Sequence, residues 1–230
     1  MKTTSIENIA GLIGDPGRIQ MLMTLLDGQS HSAGELAIAA NASAQTTSAH
    51  LAKLRAGGLI AVQRKGRQRL FRLKSQEVAV AVEALGALVP NPANAVPELS
   101  LARTCYDHLA GALAIALRNR MTQQEFLFDN GRQFVLSRSG ERFLATLDIG
   151  IAPLRKLRRA FACRCMDWTE RNHHIGGALG AAMLNHFLEA KWLAPIRNTR
   201  AVRLTHEGEQ AFERVFAIRC STLRSRPGNS

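Results

Sequence analysis

Three prolines within eight residues, in the stretch PNPANAVP (residues 90–97), divide this chain of 230 residues into two blocks. Proline lacks an amide N–H and disfavours helix in the residue before it, so we predict a linker over residues 90–98. We expect one domain at residues 1–89, a second at residues 99–220 and a flexible tail at residues 221–230. Both blocks show mainly helical patterns with short strand-like runs, so the predicted fold class is mainly α with small β wings.

The composition indicates a globular chain with a polyanionic partner. Hydrophobic residues make up 46% of the chain, and 30 Lys and Arg against 18 acidic residues give a net charge of +12. No stretch approaches the ~18–20 uninterrupted apolar residues of a membrane span. The first residues lack a signal-peptide pattern, so we expect a cytoplasmic protein whose four cysteines are reduced thiols.

The positive charge is concentrated in one short interval. No acidic residue lies between Glu35 and Glu77, whereas eight Lys and Arg lie between Lys53 and Lys74. A second basic cluster in the other block comprises Arg155, Lys156, Arg158, Arg159 and Arg164. A basic run is often only a solvated face, so the function of the first interval must be inferred from the helix and strands that contain it.

The first block predicts a winged helix-turn-helix. Asp15-Pro16 is a typical helix start, Ser32 caps a second short helix, and Ser43 caps a third. Two alternating runs follow, joined by a turn at residues 65–67 with glycine at its centre, which predicts a β-hairpin with cations at its tip. This order of two short helices, a tight turn and a basic hairpin matches a reader of duplex DNA.

The third helix and the hairpin supply the predicted DNA contacts. A Gln side chain suits bidentate bonding to adenine, hydroxyls can bond bases or phosphates, and cations contact phosphates without reading sequence. For the imidazole in this set, packing or capping is an open alternative to a DNA contact. The predicted contacts are Ser43, Gln45, Thr46, Ser48, His50, Lys53, Arg64, Lys65, Arg67 and Arg69.

The runs LIGDPGRIQMLMTLLDG and GELAIAANASAQTTSAHLAKLRAGGLIAVQRKGRQRLFRL resemble the ArsR family of bacterial winged-helix repressors over residues 6–89. The resemblance implies a homodimer that binds an inverted repeat in or near a promoter and is released by an effector. For a DNA-binding protein we also expect association with the nucleoid. It also implies that the first helix and the helix after the wing, near residues 76–89, pair across the dimer.

The family's best-known metal sites are absent from this sequence. Arsenite-binding members carry two cysteines in the Glu-Leu segment, where this chain has Ala37 and Ala39. Other members place Asp and His ligands on the helix after the wing, where this chain has only Glu83. Methyl groups cannot replace thiolate or imidazole ligands, so the resemblance carries DNA binding but neither metal site.

The second block contains a degenerate internal repeat, with halves near residues 103–147 and 168–217. The segment 107–113 (DHLAGAL) recurs at 173–179 (HHIGGAL), and the segment 136–141 (LSRSGE) recurs at 204–209 (LTHEGE). We expect each half to contain a helix rich in small residues, a strand pair and a capped helix, which makes this a second winged-helix-like domain. Convergent composition is the alternative to duplication.

The second block also holds the candidate effector residues. Cys105 has the spacing of an apolar helical stripe, which favours an inert core thiol, and on a helix His108 would lie on the adjacent turn. The residues that could share a soft metal ion or form a reactive thiol are Cys105, His108, Cys163, Cys165 and His174. Their spacing is not that of a zinc finger, so thiol oxidation, a soft metal and an organic ligand in a cavity stay open as inputs.

Two functional classes besides an effector-released repressor remain. An architectural DNA-binding protein would contact duplex through both halves, the second through its basic cluster and a wing near residues 197–203. An enzyme is the third class, but we find no phosphate-binding loop, nucleophile elbow or carboxylate pair and expect no catalysis.

Overall fold

The computed structural model describes residues 5–89, 97–197 and 199–224. The chain forms two compact units, Met1–Val82 and Glu83–Ser230. The predicted linker at 90–98 lies mostly outside the described residues, as does most of the predicted tail at 221–230. No described helix has the length and apolar character needed to cross a membrane.

The first unit is a winged helix-turn-helix. Its elements are α1 (Ile6–Ile13), α2 (Pro16–Thr24), a 3₁₀ turn (Leu25–Asp27), β1 (His31–Ser32), α3 (Ala33–Ala39), α4 (Ala44–Ala56), β2 (Ile60–Lys65), β3 (Gln68–Leu73) and the first part of α5 (Gln76–Gly86), which ends in the second unit. The three strands form one antiparallel sheet in the order β1-β3-β2. The predicted helix starts at Asp15-Pro16, Ser32 and Ser43 and the predicted hairpin are all present.

Two polar residues organise the first helix junction. The Asp15 side chain accepts a hydrogen bond from the Arg18 N–H and caps α2. The Arg18 guanidinium donates to the Leu12 carbonyl (2.6 Å) and the Gly11 carbonyl (2.8 Å), which satisfies carbonyls at the end of α1. The pair therefore sets the turn between α1 and α2.

The second unit contains two series of elements in the same order. The first series is β4 (Arg103–Cys105), β5 (His108–Ala110), α7 (Ala112–Gln123), β6 (Leu127–Asp129), β7 (Phe134–Leu136) and α8 (Arg138–Ala145). The second is β8 (Arg164–Met166), β9 (His173–Ile175), α10 (Gly177–Glu189), β10 (Leu193–Pro195), β11 (Val202–Leu204) and α11 (His206–Phe216). Within the described residues, three short helices complete the unit: α6 (Pro97–Leu101), α9 (Ile151–Arg155) and α12 (Ser221–Arg224).

The hairpin of β4 and β5 corrects the expectation that Cys105 and His108 lie on one helix. They face each other on paired strands, joined by a turn in which Tyr106 has a φ of 62°. The apolar spacing of Leu101, Cys105 and Leu109 imitates a helical stripe, but α6 ends at Leu101. The alternation of strands then places both polar residues on the same side.

The two series repeat their backbone details. Gly111 and Gly177 both have positive φ (90° and 79°), and at both a Cβ would come within 3 Å of backbone carbonyls. Ser137 and Thr205 both cap the last helix of their series, accepting from the N–H of Gly140 and Gly208. Each series contains the predicted helix, strand pair and capped helix, preceded by a hairpin that the sequence did not predict. The origin of the halves by duplication stays a prediction.

Backbone hydrogen bonds link the two halves of the second unit. The Val202 N–H donates to the Ala102 carbonyl (3.0 Å), and the Phe134 N–H donates to the Ala162 carbonyl (2.9 Å). Each half therefore extends a hairpin of the other, and the halves share one hydrophobic core that includes Leu113, Leu179, Phe187 and Phe212.

Candidate DNA-binding surface and metal centre

Helix α4 presents a polar face. The Ser43 hydroxyl accepts from the Thr46 N–H (3.1 Å) and caps the helix. Thr47, Leu51 and Leu54 are buried against the rest of the unit, so the opposite face is left to solvent. The predicted contacts that are exposed on this face are Ser43, Gln45, Thr46, Ser48 and Lys53.

The wing concentrates exposed cations. Strands β2 and β3 pair in register with Arg64 directly opposite Arg69, and the turn at Gly66 has a φ of 59°. Like charges directly opposite each other destabilise a strand pair. An anionic partner such as a phosphate backbone would remove that repulsion. All four predicted wing contacts, Arg64, Lys65, Arg67 and Arg69, are exposed.

His50 is placed differently from the other predicted contacts. Its side chain is 14% exposed, and its Nε2 lies 3.6 Å from Asp15 Oδ1. Its Nδ1 lies 3.5 Å from the Arg18 guanidinium. The structure thus brings His50 to the α1–α2 junction, which corresponds to the packing alternative, and its contact with DNA stays a prediction.

The second basic cluster is largely occupied with internal partners. Arg155 pairs with Glu141 (2.6 Å), Arg164 Nε lies 3.2 Å from Asp129, and Arg159 pairs with Asp107. Lys156 and Arg158 are exposed. Paired cations are less available to a phosphate backbone than those of the wing, which weakens the case for a second DNA-binding surface.

Four of the five predicted effector residues meet in the second unit. The donor atoms of Cys105, His108, Cys165 and His174 lie within 4.8 Å of one another, and all four residues are buried. The two thiol sulfurs are 3.7 Å apart, and the two histidine Nε2 atoms are 3.1 Å apart. We call these four residues the Cys/His cluster.

Each hairpin contributes one cysteine and one histidine. Cys105 faces His108 across β4 and β5, and Cys165 faces His174 across β8 and β9. Cys163 is not among the four clustered donors: it is half-buried and precedes β8, and a Cβ at Gly176 would lie 2.7 Å from its sulfur.

Two carboxylates that sequence reasoning missed lie behind the histidines. Asp107 Oδ1 is 3.3 Å from His108 Nδ1, and Asp167 Oδ2 is 3.3 Å from His174 Nδ1. Asp167 also accepts from Arg103 (3.0 Å) and from the Gly111 N–H (2.6 Å). Both aspartates are close to cluster residues in the sequence, since one adjoins His108 and the other lies two residues after Cys165. Their spacing, however, does not indicate that they contact the histidines.

Burial and neighbouring charges shift the pKa values of the side chains in and beside the cluster. The contact with the Cys165 sulfur and burial raise the pKa of the Cys105 thiol well above its usual range. Burial alone would lower the pKa of His174, but Asp167 and Cys105 raise it to about 9. Burial opposes ionisation of Asp167, yet the charge on Arg103 and the contact with His174 hold its pKa well below the usual range. A soft metal ion that binds here must displace the thiol protons.

Comparison with known proteins finds two sequence similarities. The family described as "Bacterial regulatory protein, arsR family" matches residues 15–62. The chain is 40% identical over 222 residues to YdfF, an uncharacterized HTH-type transcriptional regulator of Bacillus subtilis (strain 168), covering 94% of this chain and 98% of the relative.

Solved structures resemble about a third of the chain. HlyU from Vibrio cholerae N16961 is 31% identical, covering 38% of this chain and 97% of its own, with a TM-score of 0.34. The cadmium sensor CMTR from Mycobacterium tuberculosis is 31% identical, covering 36% and 83%, with a TM-score of 0.31. The homodimeric DNA-binding domain of Mb0332 from Mycobacterium bovis is 24% identical, covering 35% and 73%, with a TM-score of 0.33.

Proposed function

The chain belongs to the ArsR family of DNA-binding transcriptional regulators, and we propose that it is a homodimeric repressor whose operator affinity depends on a soft metal ion in its second unit. The single observation that carries the effector part is the Cys/His cluster, four buried donors within 4.8 Å of one another. Its place in the second unit separates it from the family's known sites, where this chain has Ala37 and Ala39.

The DNA-reading part of the proposal rests on α4 and the wing. Exposed Gln45 and Ser48 lie on one face of α4, where they suit base edges in the major groove. The exposed wing cations suit phosphate oxygens beside that groove. A dimer would place two such surfaces on the two halves of an inverted repeat.

The dimer part rests on apolar surface left uncovered in one chain. Helix α1 has the sequence IENIAGLI and no buried residue, and Ile6 is 81% exposed. After α5, Leu88 is 76% exposed and Val89 is 54% exposed. These are the segments that the family resemblance implies at the dimer interface, and burying them would remove apolar surface from water.

Thiol oxidation is a second candidate input, favoured by one distance. The sulfurs of Cys105 and Cys165 lie 3.7 Å apart, so a small movement would permit a disulfide between the two hairpins. An oxidant would then act on the same cluster without any metal.

Selection from random duplex DNA, followed by footprinting, tests DNA reading and yields an operator. We expect an inverted repeat; protection without any preferred sequence would favour the architectural alternative instead. Operator affinity is then measured for the protein loaded with Zn²⁺ or Cd²⁺, stripped with chelator, or treated with peroxide. Metal loading should weaken binding by roughly 5–150-fold, the range typical of allosteric coupling.

Two variants separate the inputs. Cys105→Ser should remove the response to metal, and Cys163→Ser, outside the cluster, should keep it. If metal and chelator leave operator affinity unchanged in the wild-type protein, the metal-dependent repressor is ruled out. A response to peroxide alone, lost in Cys105→Ser, would establish the oxidation alternative.

A further inference from the structure

The Cys/His cluster has internal symmetry that its sequence spacing hides. Cys105 and His108 are separated by two residues and Cys165 and His174 by eight, yet both pairs occupy facing positions on a hairpin. The longer segment between β8 and β9 accounts for the difference. The two halves of the second unit therefore offer equivalent donor pairs, one sulfur and one nitrogen each.

Two of the six donor separations, the one between the sulfurs and the one between the nitrogens, fit a tetrahedral ion of the size of zinc, and all six lie within 4.8 Å. With Zn–S near 2.3 Å and Zn–N near 2.0–2.1 Å, tetrahedral geometry requires about 3.8 Å between two sulfurs and about 3.3 Å between two nitrogens. The observed separations are 3.7 Å and 3.1 Å. A larger soft ion such as Cd²⁺ would need the donors to move apart, and Cu²⁺ and Ni²⁺ favour square-planar or tetragonal sites.

The surroundings favour a closed site over a catalytic one. Cys105, Cys165, His108 and His174 each have 0% exposure, so the four donors complete the coordination shell with no position open to solvent. Two thiolates also neutralise a divalent ion. The complex of the ion with its four ligands therefore has no net charge, so it can be buried away from water.

The two aspartates complete the arrangement. Zinc-bound histidines usually offer their second nitrogen to a carboxylate, which fixes the tautomer and the ring orientation. Here Asp107 and Asp167 lie behind Nδ1 of His108 and His174, while both Nε2 atoms point to the centre of the cluster. Arg159 holds Asp107 and Arg103 holds Asp167, so both carboxylates are anchored.

We infer that the Cys/His cluster is a closed tetrahedral zinc(II) site that ties the two halves of the second unit together, with Asp107 and Asp167 as positioning residues. This inference rests on the proposed function for the presence of a soft metal ion, and it names the ion, the geometry and the outer carboxylates. One ion is bound per chain.

The full-length protein provides the first test. Protein purified without chelator is analysed for metal content, and stripped protein is titrated with Co²⁺ and then with Zn²⁺. We expect one Zn²⁺ per chain, together with Co²⁺ d–d bands of tetrahedral intensity and a thiolate charge-transfer band that Zn²⁺ abolishes. An octahedral Co²⁺ spectrum, or no thiolate band, would overturn the inference.

Matched variants test the ligand set. Cys105→Ser should lose the tetrahedral spectrum, whereas Cys163→Ser should keep both the spectrum and the stoichiometry. If Cys163→Ser loses the site and Cys105→Ser retains it, the assigned ligand set is wrong.

The positioning role needs a separate readout. Asp107→Asn should weaken Zn²⁺ affinity by roughly 10–100-fold while keeping tetrahedral Co²⁺ bands, because the ligands remain and only their orientation loosens. Asp167→Asn should do the same, but it also breaks the contact with Arg103, so Asp107→Asn is the variant that remains informative if the other fails to fold. The exposed Asp148→Asn, in the same unit, is the matched control and should leave affinity unchanged. Equal affinity in Asp107→Asn and Asp148→Asn would refute the positioning role.

The two proposals can fail separately. Tetrahedral zinc with no effect on operator affinity would remove the metal-dependent repressor and leave the structural site. The absence of tetrahedral zinc would remove this inference, even if operator affinity responds to oxidation.

Discussion

Arg103 shows how a single residue joins the two halves of the second unit. It is fully buried and lies 2.7 Å from Glu83 and 3.0 Å from Asp167. Arg200 adds a second cation beside Glu83, at 3.2 Å. Buried charges are tolerated only when they are paired, so this group of two cations and two carboxylates must stay complete. Its charge helps to hold Asp167 ionised behind His174.

Replacing Arg103 with Met should therefore be strongly destabilising. The change leaves Asp167 and Glu83 without their shared buried cation, and losing one partner of such a pair costs about 3–5 kcal/mol. Arg219→Met is the control, since Arg219 and Glu213 form a pair with 77% and 59% of their side chains exposed. Such a pair contributes about 0–1 kcal/mol. Urea unfolding followed by circular dichroism compares them; equal losses of stability would show that the buried network is not important.

At the scale of elements, the wing is specified by local signals. Gly66 adopts a positive φ that glycine accepts readily. The end of β3 alternates between buried Phe71 and Leu73 and exposed Arg72, whereas residues 63–69 around the turn are all exposed. The hairpin consequently carries its cations on an exposed edge, without acidic neighbours in sequence.

Arg67→Ala should weaken binding to all duplexes about equally. A phosphate contact carries no sequence information, so the variant should also reduce the slope of log affinity against log salt by about 1. Arg132→Ala, an exposed cation of the second unit, serves as the control. Fluorescence anisotropy at several salt concentrations measures both quantities. An unchanged slope would mean that Arg67 makes no phosphate contact, whereas lost sequence preference would point to base reading.

A second local contact links the 3₁₀ turn to β1. His31 Nε2 lies 2.6 Å from Asp27 Oδ2, and this hydrogen bond raises the pKa of His31. A raised pKa in the folded state stabilises the protein below the unfolded pKa near 6.5, and this stabilisation is lost as pH rises through the folded value.

His31→Gln should thus cost more stability at pH 6 than at pH 9. The exposed His206→Gln serves as the control, since the ring of His206 lies 3.0 Å from the neutral side-chain amide of Gln210. Unfolding by urea at the two pH values measures the effect. A larger loss for His31→Gln at pH 9 would contradict the sign of this prediction.

At the scale of the molecule, charge and function are distributed unequally. The net charge of +12 is carried largely by the second block, yet the wing cations are all exposed and lie in an interval without acidic residues. Several cations of the second unit are used internally, beside Glu83, Asp107 and Asp129. Total charge therefore indicates an anionic partner, and the pairing of each cation indicates which surface meets it.

Metal removal should loosen the second unit selectively. Because the Cys/His cluster connects hairpins about sixty residues apart, an ion there stabilises the folded state by its binding free energy. Chelator should lower the unfolding temperature of the wild-type second unit, measured by calorimetry, and leave Cys105→Ser unaffected. An unfolding temperature that is the same with and without chelator would show that no ion ties the halves together.

Local signals in the sequence were sufficient for the first unit. The caps at Asp15, Ser32 and Ser43 each bond a residue three positions away, and the turn at Gly66 joins adjacent strands. Both partners of each interaction are therefore close together in the sequence. The same reasoning named all four cluster residues as candidates, but it misplaced Cys105 on a helix, because an apolar spacing of four does not distinguish a helix from the end of one helix and a following strand.

The sequence by itself therefore determined a winged helix-turn-helix with a basic wing and named a set of thiols and imidazoles, while the duplication in the second block stays a prediction. Only the tertiary structure decided that Cys105 and His108 meet Cys165 and His174, that Cys163 lies outside this set, and that Asp107 and Asp167 lie behind the histidines. The physical reason is range. Caps and turns are closed by residues a few positions apart, whereas the cluster and the Arg103 network form only when two halves of the chain pack into one core.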